Sequence, residues 1–249
     1  MTRWAPTISF LAALVLWQGV VSATGVPAYL VPGPIAIVQA FLAAPQLLLA
    51  SLLSTLAVTF AALAVSAVLG VALAIATTAS PWARAAVQPW AVALQVTPIV
   101  AIAPLIIVWI GDPFAALVTC ATIVAFFPIF SNTAIGLASP PAELLDLFRL
   151  NGATQWATMR LLRLPAALPY FLAGLRISGG LALVGAVVAE FVAGAGGFAS
   201  GLAYRILESG YRLQVPRMFA ALVLLALAGI AINTALALLS HLLLRRGES

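Results

Sequence analysis

The chain reads as an all-α, polytopic membrane protein of about six transmembrane helices. Three observations predict this. Of its 249 residues, 64% are hydrophobic and only 7% charged, against about 25% charged in a water-soluble domain. The apolar residues gather into six runs, each near the ~20 residues that an α-helix needs to cross a ~30 Å hydrocarbon core. A single long polar interruption, residues 139–169, separates the fourth run from the fifth.

The first run, Ile8–Ala23, is short, carries Gln18 and follows a single Arg3. Val21 and Ala23 are small enough for a signal-peptide cleavage site. The basic segment before the run is weak and further spans follow, so it is read as a retained anchor. Residues 24–50 carry no charge. Within them, VPGPIAIVQAF predicts an extended turn at Pro32, Gly33 and Pro34, then an amphipathic stretch at the interface. The second and third spans are Leu52–Ala76 and Ala91–Ile110. Asp112, between Gly111 and Pro113, is a solvated turn residue. The fourth span, Phe114–Ile135, holds Cys120. A lone cysteine excludes an internal disulfide and a multi-cysteine metal site, and reads as a small buried hydrophobe. The fifth and sixth spans are Ala166–Val188 and Met218–Leu244, and lone His241 reads as structural. Without an internal repeat the chain lacks the inverted-repeat signature of secondary transporters. Residues 1–249 are read as a single domain.

All eleven basic residues are arginine. A P-loop needs its lysine, so the chain carries no P-loop ATPase of its own. The net charge of +5 reports topology rather than nucleic-acid binding. With both termini inside, Arg3, Arg84, Arg149, Arg160, Arg163, Arg245 and Arg246 are cytoplasmic, and Arg205, Arg212 and Arg217 lie outside. This excess favours that orientation under the positive-inside rule.

The interruption has a pattern of its own. Ser139 is placed to cap a helix whose first turn holds Pro140 and Pro141. Glu143, Asp146 and Arg149 share one face; Leu144, Leu145, Leu147 and Phe148 share the other. Asn151-Gly152 stops the helix, because glycine takes the left-handed cap conformation without strain. A second short helix follows, with Trp156, Met159 and Leu162 at three-residue spacing, and Pro165 begins the fifth span. Two short helices around a glycine make a knob suited to a partner's groove. An amphipathic loop resting on the membrane is the plainer reading.

Charges within or near the spans are few. Arg176 lies about 16 Å along the fifth span from Pro165. A central arginine costs about 2.5–3.5 kcal/mol on insertion scales, so it should face protein or water. It is a candidate for the pathway or gate; a snorkelling or interhelical pair is the alternative. Glu190 either pairs with Arg205 or lines the outer gate, and the pair is the expected arrangement. Arg205, Glu208 and Arg212 suggest a short surface helix on the outer side.

Gly152, its following Ala153, then Leu162 and Leu164-Pro165 reproduce the spacing of the cytoplasmic "EAA" loop of ABC-importer permeases. Asp146, Leu147 and Phe148 stand where that loop has Glu-Ala-Ala. PAALPYFLAGLRI, GAVVAEFVAG and VPGPIAIVQAF extend the likeness. The chain thus resembles the nitrate/sulfonate/taurine-type branch of binding-protein-dependent permeases. The resemblance implies a type I importer permease fold and a bacterial inner-membrane location. It implies that residues 139–165 are a coupling loop, with Glu143, Asp146, Arg149, Gly152, Ala153, Leu162 and Pro165 serving the ATPase contact. It also implies a second permease copy, a cytoplasmic ABC ATPase dimer that binds ATP-Mg, and an extracytoplasmic solute-binding protein, for which Arg205, Glu208 and Arg212 are the candidate contact. This chain would then be no enzyme and would hold no cofactor, catalytic residue or metal. The implied solute is small: a pyrimidine- or riboflavin-type vitamin precursor, or a sulfonate, taurine or nitrate. A secondary transporter or a membrane scaffold remains the competing class.

Overall fold

The structure, a computed structural model, describes residues 5–194 and 200–245. Arg3, Arg246 and residues 195–199 of the glycine-rich outer segment lie outside them. The described chain is helical, with no strand. Its helices are α1 (Ala5–Thr24), α2 (Pro34–Ala43), α3 (Pro45–Ala79), α4 (Pro81–Val96), α5 (Ile99–Ile110) and α6 (Pro113–Ala138). They continue as α7 (Ala142–Leu150), α8 (Gln155–Thr158), α9 (Leu164–Ala193), α10 (Leu202–Tyr211) and α11 (Val215–Arg245). Five rods are long and apolar enough to cross a membrane: Thr7–Thr24 of α1, then α3, α6, α8 with α9, and α11. Two packed units are distinguishable: Thr55–Ala193 with Ala228–Ser249, and Met1–Ser54 with Gly194–Leu227.

In the first of these units α6 and α9 pack closely together. Lipid tails are as apolar as leucine, so helices associate there through small residues and interhelical hydrogen bonds. Three glycines make this approach possible. A Cβ on Gly174 would lie 2.7 Å from the Pro128 carbonyl oxygen. On Gly136 or Gly185 it would lie 2.8 Å from the Cα of Ala167 or Ala121. Ser178 Oγ adds a 2.6 Å hydrogen bond to the Ala125 carbonyl. As α9 advances from Ala167 to Gly185, its partners on α6 recede from Gly136 to Ala121, so the pair is antiparallel.

The order along α3 decides the topology. Ser66 Oγ donates to the Thr122 carbonyl at 3.3 Å. Gly70 faces Ile129 and Phe130, and Thr77 and Thr78 share a cavity wall with Ala134 and Ala138. Both helices advance together, so α3 and α6 are parallel, and the chain between them must return across the membrane. That return is not the single helix expected over Ala91–Ile110. It is α4 and α5, bent by 107°. Proline disfavours helical geometry in the residue before it, and Thr97, before Pro98, has left it, with ψ 123°. The 12 residues of α5 reach only about 18 Å at 1.5 Å per residue. The pair is therefore a broken span, which brings the crossings to six.

The other unit explains a polar residue in the first span. Gln18 Oε1 accepts from the Ile35 N–H at 3.2 Å, supplying from another helix the cap that Gly33 cannot give α2. Gly33 permits the approach: a Cβ there would sit 2.7 Å from Gln18 Oε1. Trp17 and Phe219 place their ring centroids 6.3 Å apart in the same unit.

Candidate functional site: the α7–α8 knob

The knob between α6 and α9 is built from local backbone chemistry. Ser139 does not start it. It ends α6, whose last turn extends to Ala138, and its Oγ donates to the Gly136 carbonyl at 2.8 Å. α7 begins at Ala142 behind Pro141, with no side-chain cap. At its end Gly152 has φ +70°. The Gly152 N–H bonds the Arg149 carbonyl at 3.0 Å and the Ala153 N–H bonds the Phe148 carbonyl at 3.0 Å. These are the paired bonds of a Schellman stop, which satisfies two orphan carbonyls. Thr154 then caps α8, its Oγ1 accepting from Ala157 N–H at 3.1 Å. Sequence reasoning missed Thr154, although a threonine just before a helical pattern is the usual cap signal.

The second short helix is not separate from the fifth span. Pro165 has no N–H, and the Leu164 N–H reaches back to the Met159 carbonyl. Residues Met159–Arg163 therefore form a π turn, and Gln155–Ala193 is one continuous 39-residue rod. At its base Arg163 Nη1 donates to the Leu137 carbonyl at 3.1 Å, tying the rod to the C-terminal end of α6. Any displacement of the knob is thus delivered to α9 directly.

The knob presents an apolar tip. Leu150 is 86% exposed and Trp156 68% exposed; Leu144 and Leu147 are exposed beside them, while Leu145 and Phe148 turn partly inward. Asp146 and Arg149 form a 3.2 Å ion pair on the exposed face, worth less than about 1 kcal/mol in water. Glu143 and Pro165 are exposed, and Ala153 and Leu162 half-buried. Behind the tip lies a cavity of about 490 Å³, lined by Ile75, Thr78, Arg149, Trp156, Met159 and Arg163 among others.

The remaining candidates fall elsewhere. Arg176 is exposed on α9 and its Nε donates to Asn233 Oδ1 of α11 at 3.0 Å. Glu190 is 2% exposed and accepts from Thr55 Oγ1 at 2.8 Å. Arg205 pairs with Glu208, one turn along α10, at 2.7 Å. It also donates to Ser51 and Ser200 and lies over the Tyr204 ring. Glu208 takes Arg212 too, at 3.1 Å. Adjacency on one helix makes this pairing cheap in side-chain entropy. Arg205 and Glu208 are thereby turned inward, whereas Arg212 is exposed. α10 also ends in a Schellman stop, with Gln214 N–H on the Ser209 carbonyl and Leu213 N–H on that of Gly210. Its left-handed position is held by Leu213, φ +55° and 73% exposed. An L-residue there costs about 1–2 kcal/mol that glycine avoids.

Comparison with known proteins agrees with this architecture. Residues 66–247 match the family described as "Binding-protein-dependent transport system inner membrane component". The chain is 35% identical to the formylaminopyrimidine transport permease protein ThiX of Halalkalibacterium halodurans, over 96% of this chain and 94% of that one. It is 33% identical to the riboflavin transport system permease protein RibX of Chloroflexus aurantiacus, over 96% and 88%. A putative aliphatic sulfonates transport permease, SsuC of Bacillus subtilis, is 32% identical over 61% of this chain and 54% of its own. Among solved structures, an amino acid ABC transporter crystallised with histidines shares the fold with a TM-score of 0.65. It is 19% identical, over 81% of this chain and 96% of that one.

Proposed function

Because the chain belongs to the family of binding-protein-dependent transport system inner membrane components, and so is a multi-pass permease subunit of an ABC transporter, we propose that its α7–α8 knob is the seat of a separate ATP-hydrolysing subunit. The observation that carries this is the exposed Leu150–Trp156 tip, of which Trp156 stands on the rod continuous with α9. Burying two such side chains in a partner's cleft is worth about 1.5–3 kcal/mol each. The partner's closure on ATP would move the tip, and the rod would transmit the motion to the pathway. Under this reading the knob end, with Arg84, Arg149, Arg160, Arg163 and Arg245, is cytoplasmic. The opposite end receives an extracytoplasmic binding protein, and a second permease copy completes the pathway beside Arg176 and Glu190.

Arg212 and the strained, outward Leu213 mark the binding-protein face. Strain of this kind persists where a side chain is needed in an unfavoured place. Leu213→Gly should raise thermal stability while weakening binding-protein-stimulated uptake; unchanged stimulation would remove Leu213 from that face. The solute proposed is a small heteroaromatic vitamin precursor. Its support is that the formylaminopyrimidine and riboflavin permeases align over nearly their whole length, whereas the sulfonate permease aligns over about half.

The decisive experiment replaces both tip residues, Leu150→Ala with Trp156→Ala. The permease should reach the membrane in normal amount, lose co-purification of the ATPase and lose uptake. Normal co-purification would refute the docking assignment.

A further inference from the structure

A second cavity, of about 370 Å³, lies between the last turn of α3, helix α4 and the end of α6. It is outside the knob and has a mixed wall. Its polar lining residues are Thr77, Thr78, Arg84, Gln88 and Ser131. Its large apolar ones are Val92, Phe127, Phe130 and Ile135. No acidic residue lines it. Its volume is at the small end of ligand sites, enough for a headgroup and the first part of an acyl chain.

The polar lining is short of acceptors. Arg84 uses only its Nε, which donates to the Thr77 carbonyl at 3.3 Å. This contact braces the guanidinium against α3 and leaves its terminal amino groups without a hydrogen-bond acceptor among the described residues. The Gln88 amide and the Ser131 hydroxyl likewise have none. Arg84 also occupies the first turn of α4, the positive end of the helix dipole, where a cation is disfavoured and an anion welcome. Two tryptophans, Trp82 and Trp90, stand exposed on the same helix; tryptophan favours the level of lipid headgroups. A guanidinium fork suits a phosphate geometrically, and basic pockets between helices at this depth hold anionic headgroups.

From this we propose that the α3–α4–α6 cavity binds one anionic phospholipid, its phosphate on Arg84, Gln88 and Ser131 and an acyl chain against Val92, Phe127 and Phe130. The lipid would brace the N-terminal limb of the broken α4–α5 span, whose own packing is interrupted at Thr97-Pro98. The assignment to the cytoplasmic leaflet rests on the orientation proposed above; the binding itself does not.

The test uses the purified, delipidated full-length permease titrated with phosphatidylglycerol, with bound lipid counted by native mass spectrometry and Tm followed in parallel. One tightly held phosphatidylglycerol should raise Tm, and phosphatidylcholine should bind at least about tenfold more weakly, an energy of ~1.4 kcal/mol. Arg84→Gln should lose that preference and Arg84→Lys should retain part of it. Ala134→Trp, which fills the cavity while keeping the arginine, should also lose the lipid. Arg245→Gln, which removes a cation from the last turn of α11, should bind as the parent does. The proposal is overturned if Arg84→Gln and Ala134→Trp both keep the lipid, or if Arg245→Gln loses it equally. It is overturned also if glycerol phosphate competes as well as the intact lipid, which would make the site one for a soluble anion. Should Arg84→Gln fail to fold, Arg84→Lys and Ala134→Trp decide the question by the same measurement.

Discussion

Gly152 offers the sharpest test of the knob. It sits at φ +70°, and a Cβ added there would meet nothing within 4 Å. Any cost of substitution is therefore local backbone strain, free of packing. For an L-residue in the left-handed region that strain is about 1–2 kcal/mol, or about 5–30-fold in the population of the Schellman stop. Asparagine tolerates this region, alanine less so, and a β-branched residue least. Uptake should therefore fall in the order Gly152, Gly152→Asn, Gly152→Ala, Gly152→Val. The valine variant should transport at least about tenfold more slowly, since a 1.4 kcal/mol shift is tenfold. With no packing lost, the Tm of the purified permease should fall by no more than this local strain accounts for, in the same order across the series. The assay is solute uptake normalised to permease in the membrane, with ATPase co-purification alongside. Wild-type uptake by Gly152→Val would refute the reasoning. So would equal losses in Gly152→Asn and Gly152→Val, because backbone conformation would then not be the cause.

Three other outcomes are expected. Gly174→Leu should lower Tm by an overpacking cost of about 1–3 kcal/mol, because its Cβ would meet the Pro128 carbonyl oxygen at 2.7 Å; Gly180→Leu, with open space beside it, should not, and equal Tm values would contradict the α6–α9 approach. Arg176→Leu should spare membrane insertion and lower uptake, with Arg176→Lys rescuing in part because an ammonium lacks the planar fork; Asn233→Leu should reproduce the defect if Asn233 aims the guanidinium, and wild-type uptake by Arg176→Leu would remove it from the pathway. In a Cys120→Ala background, Ser139→Cys should label from the cytoplasm and Ser200→Cys from outside, and the reverse pattern would invert the topology.

What residues 1–249 determine by themselves is whatever depends on a few neighbouring positions or on bulk composition. Six apolar runs require six crossings, because a chain with 7% charged residues cannot keep such surface in water. Asn151-Gly152 announces a left-handed stop, because only the local backbone decides whether a side chain fits there. The Thr97-Pro98 break is less legible, because Pro89, Pro104, Pro128 and Pro169 all lie inside helices, so proline alone does not mark which position breaks. Thr154 is legible as a threonine just before a helical pattern.

The tertiary structure decides which distant groups meet. Gln18 looks like an isolated polar residue until α2 brings the Ile35 N–H to it. Arg205 has Glu208 beside it on the same helix, but only the fold brings Ser51, 154 residues away, to its Nε. The parallel course of α3 and α6, set by small residues at Ser66 and Gly70, makes α4 and α5 a single broken crossing. The continuity of α8 with α9 depends on a π turn that bypasses the missing N–H of Pro165, and the adjoining helix ends set where that rod is tied. In each case the reason is the same. Periodicity and caps are encoded within one turn of chain. The choice of partner across 17 to 154 residues depends on which helices come close enough to touch, and small residues far apart in sequence govern that jointly.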